Sequence, residues 1–354
     1  MLVFDAHLDL SLNALEYNRD LRMSLAEIRD AESGMNDLSG RGAGTVCFPE
    51  MRKAGIGLCV ATQLAGCMKP AAPIGAWNSP SQAWAMTQGQ LAWYRAMEHD
   101  GQLRQIVDRE ELQQHLADWQ SDPQHTPIGY ILSLEGADSI RDLSDLSASH
   151  LQGLRALGPA HYGVGRYALG HDREGPLSPA GRELIVEMDR LDLILDATHL
   201  AEQTFWDVMD LYQGPIWASH HNCRTIVDDP RQLTDKQIQA LASRDAVIGV
   251  ALDVWMVAAD WQRLKTTHPH PGADLAGLAD HVDHICQLTG STKHVGIGTD
   301  LDGGFGSEQT PGDLDSIADI TKLFGILRDR GYSDADLEAI SHGNFVDFLM
   351  RAWS

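Results

Sequence analysis

Val3-Phe4-Asp5-Ala6-His7-Leu8-Asp9 opens the chain with an apolar run that finishes in two metal-capable side chains. The run Leu2–Asp5 predicts a strand, and side chains leave a strand in alternating directions. His7 and Asp9, two residues apart, therefore face the same way and can share one ion. The same pattern, an apolar run ending in a polar cluster, returns along the sequence. It appears in Leu132-Ser133-Leu134-Glu135-Gly136, in Asp196-Ala197-Thr198-His199, in Ala218-Ser219-His220-His221-Asn222 and in Gly298-Thr299-Asp300-Leu301-Asp302-Gly303.

Working outward, eight such strands are expected: Leu2–Asp5, Gly57–Gln63, Ile128–Leu134, Gly153–Ala160, Leu193–Thr198, Pro215–Ser219, Ala246–Ala251 and His294–Gly298. Amphipathic stretches separate most of them, including Pro179–Arg190, Glu202–Tyr212, Thr234–Ser243 and Leu275–Leu288. Strands alternating with helices make parallel βαβ units, and eight units close into a (β/α)8 TIM barrel. An open doubly wound sheet is the rival, but no GxGxxG follows an early strand. Two segments exceed ordinary loop lengths: Cys67–Ser81, which leads into the amphipathic Gln82–Glu98, and Trp255–Gly272. Long βα loops of a barrel lie over its C-terminal mouth, so both are expected to wall or cover a site there. Neither marks a domain boundary, and one domain over residues 1–354 is expected.

The composition bounds the partners. Of 354 residues, 43% are apolar and 22% charged, values of an ordinary globular chain with a substantial core. The formal net charge of −23 repels a phosphate backbone, which argues against nucleic acid. No apolar run approaches the ~18 residues that cross a bilayer, and no membrane partner is expected. The first residues lack the basic and apolar regions of a signal peptide. The five cysteines, Cys47, Cys59, Cys67, Cys223 and Cys286, are odd in number and show no CxxC spacing. They read as reduced thiols of a cytoplasmic protein.

Taken singly, each strand-end fragment has a bland reading. A lone His there is more often hydrogen-bonded than metal-bound, Asp9 can cap a following helix, and Asp302-Gly303-Gly304 is an ordinary turn. Together they place three His and three carboxylates at the ends of five barrel strands, converging on one mouth. That donor set suits zinc, and the number suits two ions sharing one bridging carboxylate.

In these motifs the sequence resembles the renal (membrane) dipeptidase family, two-zinc enzymes among the amidohydrolase-like barrels, over nearly the whole chain. The family's His-x-Asp stands as His7-Leu8-Asp9, its bridging Glu as Glu135, and its Asp-x-Ser-His as Asp196-Ala197-Thr198-His199. Its Ser-His stands as Ser219-His220 and its Gly-x-Asp-x-Asp-Gly as Gly298 to Gly303. The resemblance implies two Zn2+ ions, with other divalent metals as substitutes. One would take His7, Asp9 and Glu135, the other Glu135, His199 and His220. His220 is preferred to His221 because it directly follows the serine. Asp300 matches the residue that moves a proton from water to the leaving amine. His161, in the fourth strand's loop, matches the one that polarises the substrate carbonyl. Arg231, favoured by spacing over Arg224, matches the arginine that binds the substrate carboxylate. Its bland alternative is a surface pair with the acids around it. The family also implies a homodimer.

Two departures bear on substrate. Leu8 replaces the usual Asn between the first His and Asp, followed by a loop over Ser11–Asp20 expected to open over the first metal. The segment Gly158-Pro159-Ala160-His161-Tyr162-Gly163 lacks the usual Thr-His, and its Pro and Gly predict a different loop path. The expected activity is hydrolysis of a dipeptide, including the L-Xaa-D-Xaa class, by a zinc-bridged hydroxide. The enzyme rival is an N-acyl-amino-acid deacylase with the same metals. The non-enzyme rival is a metal-bound binding barrel, which would have lost Asp300 or a ligand; none is missing.

Overall fold

The computed structural model describes residues 1–67 and 74–353. All eight expected strands are present as β1 (Val3–Leu8), β2 (Ile56–Leu64), β3 (Ile128–Glu135), β4 (Leu154–Gly158), β5 (Ile194–Asp196), β6 (Ile216–Trp217), β7 (Ile248–Val250) and β8 (Val295–Ile297). Every pairing among them is parallel, in the order β6-β5-β4-β3-β2-β1-β8-β7. A parallel bridge between Ala218 and Ile248 joins the two ends, so the sheet curls into a barrel. A three-residue strand, Leu103–Gln105, pairs outside this ring with β3. Its Arg104 and Gln105 hide it from any apolar pattern.

Helices connect the strands on the outside. Pro179–Arg190 runs over the expected span; Ser178 caps it by accepting from the Gly181 N–H, and Pro179 sits where its missing N–H costs nothing. Thr234 and Gln237 form a capping box at the start of Asp235–Ser243. Asp274 caps Leu275–Thr289, which ends at Gly290 in the left-handed region. Among the described residues no helix is long and apolar enough to cross a membrane.

The last helix, Asn344–Ala352, plugs the barrel. Phe345 stacks on Phe4 of β1 at 5.0 Å and meets Trp217 of β6 edge-on at 5.9 Å. Two strands separate β1 from β6 around the ring, so an aromatic side chain touching both occupies the interior. Phe4, Ala6, Leu58, Val60, Ile131, Ala156, Ile194, Trp217 and Val247 form one buried cluster with it. Gly296 of β8 makes room, since a Cβ there would lie 2.6 Å from the Phe345 ring. Truncating so enclosed an aromatic costs about 3–5 kcal/mol. With the interior filled, chemistry is confined to the open C-terminal end of the strands.

One loop expectation changes. Ser11–Asp20 is not an open loop: Leu10–Leu15 is helical, and Asn13 Nδ2 donates to the carbonyls of Asp9 and Asp302. Of the Cys67–Ser81 segment, residues 68–73 lie outside the described residues. Its far end returns to the mouth, where the Gly66 N–H donates to the Gly75 carbonyl. The expected Gln82–Glu98 helix runs from Pro80 to His99.

Candidate metal centre

Three overlapping donor groups meet at the strand ends: His7, Asp9 and Glu135; Glu135, His199 and His220; and His7, His220 and Asp300. Glu135 finishes β3 and divides its oxygens between two sides. Its Oε1 lies 3.0 Å from His199 Nε2 and 3.5 Å from His220 Nε2, while Oε2 lies 3.5 Å from His7 Nε2. Asp9 Oδ1 and Asp300 Oδ1 are each 3.9 Å from that His7 nitrogen. His7 Nε2 is buried without a hydrogen-bond partner. A buried imidazole nitrogen facing three carboxylates, with no donor to share, fits a cation better than it fits a protein contact.

The outer nitrogens of the rings are held. Ser219 Oγ lies 2.8 Å from His220 Nδ1, and His171 Nδ1 lies 3.3 Å from His199 Nδ1. Such partners leave Nε2 free to aim inward and fix the ring plane. Asp9 accepts from the Thr62 hydroxyl on β2. Two further aspartates tie strand ends together. Asp5 accepts from the Thr299 N–H at 2.9 Å and its hydroxyl at 2.6 Å; Asp196 accepts from the N–H groups of Thr198 and Ser219, both at 3.0 Å. Asp196 thus serves its motif as a brace between β5 and β6. Gly249 and Gly298 let their strands close on Ser219, whose carbonyl would lie 2.0 and 1.8 Å from an added Cβ.

Backbone conformation aims two of the candidates. His199 and Asp300 adopt φ of 66° and 59°, a left-handed region that non-glycine residues visit rarely and that clusters at functional sites. In β1, pairing with β2 shifts register between Asp5 and Leu8, the kind of irregularity that re-aims a strand-end side chain. Gly303 stands so close to Asp300 that a Cβ would lie 2.2 Å from its Oδ1. The Asp302-Gly303 pair is therefore more than a turn signal.

Charge is frustrated in a way a cation relieves. Burial would suppress protonation of His7, but Glu135, Asp9 and Asp300 overcome it and raise its pKa to about 10. Burial pushes Asp300 well above the usual carboxylate range, with Glu135 and Asp9 adding to the push. Asp9 is raised by burial and by Glu135. Glu135, despite burial, is held low by His7 and His161. Burial drives His199 and His220 well below their usual value, with Arg231 among the charges that reinforce it, so both stay neutral with lone pairs to offer. A bound divalent cation would replace the His7 proton and neutralise the carboxylates together.

A cavity of about 260 Å³ opens beside this centre, lined by Asp9, Glu135, His161, His199 and Asp300. The His161 ring centroid lies 4.6 Å from that of His199, and burial lowers its pKa. His221 stays out of the donor groups. Arg231 is not a surface residue: it is 1% exposed, donates from Nη2 to the His220 carbonyl at 2.9 Å, and has no partner at Nη1. Arg224 points away, pairing with Glu202 at 3.0 Å. The residues that sequence reasoning missed are Tyr162, His171, Asp253 and Arg263. Asp253 precedes the long loop after β7 and Arg263 lies within it; the length of that loop was the only signal.

A sequence profile described as membrane dipeptidase, peptidase family M19, matches residues 1–353. A Klebsiella pneumoniae protein named only for its place in the pqqA 5′ region is 28% identical over 64% of this chain and 83% of its own length. The dipeptidase aclJ of Aspergillus oryzae is also 28% identical, over 64% of this chain and 52% of that protein. A Schizosaccharomyces pombe dipeptidase, itself uncharacterised, is 30% identical over 50% of this chain and 39% of its own. This chain thus spans about half or less of the two fungal dipeptidases. Among solved structures, dipeptidase AC, a metallopeptidase of family M19, superposes with a TM-score of 0.80 at 26% identity, covering 100% of this chain and 99% of that one. A metallopeptidase of Rhodobacter sphaeroides, solved with a phosphinate mimic of the dipeptide L-Ala-D-Ala, shares the fold with a TM-score of 0.80, at 24% identity and the same coverage. With the match running from the first residue to the penultimate one, the chain belongs to the membrane dipeptidase family, peptidase family M19, a family of metallo-dipeptidases.

Proposed function

We propose that this chain hydrolyses the amide bond of free dipeptides, with two zinc ions held on either side of Glu135. The observation that carries the reading is the division of Glu135: one oxygen toward His199 and His220, the other toward His7. His7, Asp9 and Glu135 would hold one ion, and Glu135, His199 and His220 the other. When bound, such ions supply Lewis acidity and bring the pKa of water from ~15.7 to ~7.

The chain's own residues then divide the remaining work. Asp300 lines the cavity beside His7, and its raised pKa suits a group that takes a proton from water and returns it to the leaving amine. His161, neutral and on the cavity wall, donates to the carbonyl oxygen as charge develops there. Arg231 keeps one buried, unpartnered guanidinium nitrogen, which suits the substrate's α-carboxylate. The same reading takes residues 1–354 as one domain, a cytoplasmic location in keeping with five unpaired cysteines, and a homodimer.

A panel of free and N-acetylated dipeptides, in L,L and L,D forms, tests the proposal on zinc-reconstituted protein. Turnover of the free forms is expected. Turnover confined to the N-acetylated forms would replace this reading with a deacylase.

A further inference from the structure

Arg263 is the only Arg or Lys that lines the cavity among the described residues, in a chain with net charge −23. It stands on the long loop after β7, and its side chain is 44% exposed. Its anchors are weak. Nη2 lies 3.5 Å from Asp253 Oδ2, and Nε lies 3.4 Å from Gln309 Oε1, both long for an N–H···O bond. Asp253 is shared with other donors. Its Oδ2 already accepts from Trp255 Nε1 at 2.6 Å and its Oδ1 from Gln309 Nε2 at 2.8 Å. The guanidinium also lies 5.6 Å from the Trp255 ring. The Tyr162 side chain also lies within its reach, and a guanidinium has more N–H groups than these three neighbours take up. Asp253 and Trp255 therefore steady Arg263 without using up its donors.

The cavity is polarised. Leu12, Leu64 and Ile74 make an apolar wall on the side of Asp9. Tyr162, Asp253 and Arg263 form the other side, where the Tyr162 ring lies 5.3 Å from that of His199. Arg231, outside the lining and bonded to the His220 carbonyl, is close enough to Tyr162 and Asp253 for its charge to act on both. A dipeptide whose α-carboxylate meets Arg231 would place its carboxyl-terminal residue toward Arg263 and its amino-terminal residue toward the apolar wall.

We infer that Arg263 reads a carboxylate on the side chain of the carboxyl-terminal residue, so that the preferred substrates are dipeptides with an apolar first residue and Asp or Glu second. This inference rests on the dipeptidase reading above. An acidic protein repels such a substrate at long range, and a local planar guanidinium with free donors offsets that repulsion where it matters. Lys in its place would keep the charge and lose the paired bonds.

The test uses zinc-loaded full-length protein with Ala-Glu, its isostere Ala-Gln, and Ala-Ala, each with the second residue in L and D form. The expected result is a kcat/KM for Ala-Glu about tenfold or more above that for Ala-Gln. Arg263→Met should bring that ratio close to one, and Arg263→Lys should leave it in between. Turnover of all three substrates with an Ala-Glu to Ala-Gln ratio near one in the native protein overturns the inference and leaves the dipeptidase reading standing. A ratio unchanged in Arg263→Met does the same, and assigns the preference to another group. No turnover of any dipeptide overturns both.

Discussion

Oε1 of Glu135 lies 3.0 Å from Nε2 of His199, while its second oxygen faces His7. One carboxylate therefore belongs to two donor sets, and its loss should empty both. Glu135→Ala is expected to lower zinc at two sites per chain, whereas His7→Ala or His199→Ala should each lower mainly one. Elemental analysis of purified variants measures this. Two tightly held zincs in Glu135→Ala would remove the shared role.

Asp300 and Asp302 share a motif but not a task. Asp300 lines the cavity, so Asp300→Asn should keep its metal and its fold yet lose ~10²–10⁴-fold in kcat, the usual contribution of a general acid–base group. Near-native kcat at full metal content would send the proton-transfer role elsewhere.

Asp302 is buried and accepts from the Thr45 N–H at 2.8 Å, its hydroxyl at 2.7 Å, the Val46 N–H at 3.0 Å and Arg19 Nη1 at 3.2 Å. Asp302→Ala would leave the buried Arg19 guanidinium its pair with Glu32, at 2.8 and 3.0 Å, but would strip the Thr45 and Val46 N–H groups of their acceptor. Each buried donor left without a partner costs about 1–3 kcal/mol. Denaturant unfolding should register that loss, and a midpoint equal to the native one would show that the network around Arg19 carries little.

Arg231 has a structural bond at Nη2 and a free nitrogen at Nη1. Replacement by Met should lower kcat/KM for free dipeptides by roughly 10- to 100-fold, with a much smaller effect on dipeptide amides, which lack the carboxylate. Equal losses on both substrates would leave Arg231 only its structural bond to the His220 carbonyl.

Removal of metal should also destabilise the fold. Asp9, Glu135 and Asp300 all face His7 Nε2, at 3.9, 3.5 and 3.9 Å, and a bound cation would offset their repulsion. At 100-fold excess over Kd a ligand contributes about 2.7 kcal/mol, which for a chain of this size corresponds to roughly 4 °C. Chelation should lower Tm by about that amount or more, and added zinc should restore it. A Tm indifferent to chelator would mean that the carboxylates tolerate their neighbours protonated.

The sequence by itself determined the strands, most helices and which metal-capable residues stand at the strand ends, because these depend on local periodicity and on residue type. Pro179–Arg190 shows its apolar face every three to four residues, and His7, Glu135, His199, His220 and Asp300 each follow an apolar run. Tertiary structure decided which atoms of those residues meet. The bridge from Ala218 to Ile248 closes the ring and sets strand ends from distant parts of the chain around one space. Left-handed backbone at His199 and Asp300, the split of Glu135, the burial of Arg231 and the approach of Arg263 appear only once the elements are packed around that space. None of them is a property of a short window of sequence. Each is set by packing between elements whose separation in the chain says nothing about the direction in which a side chain will point.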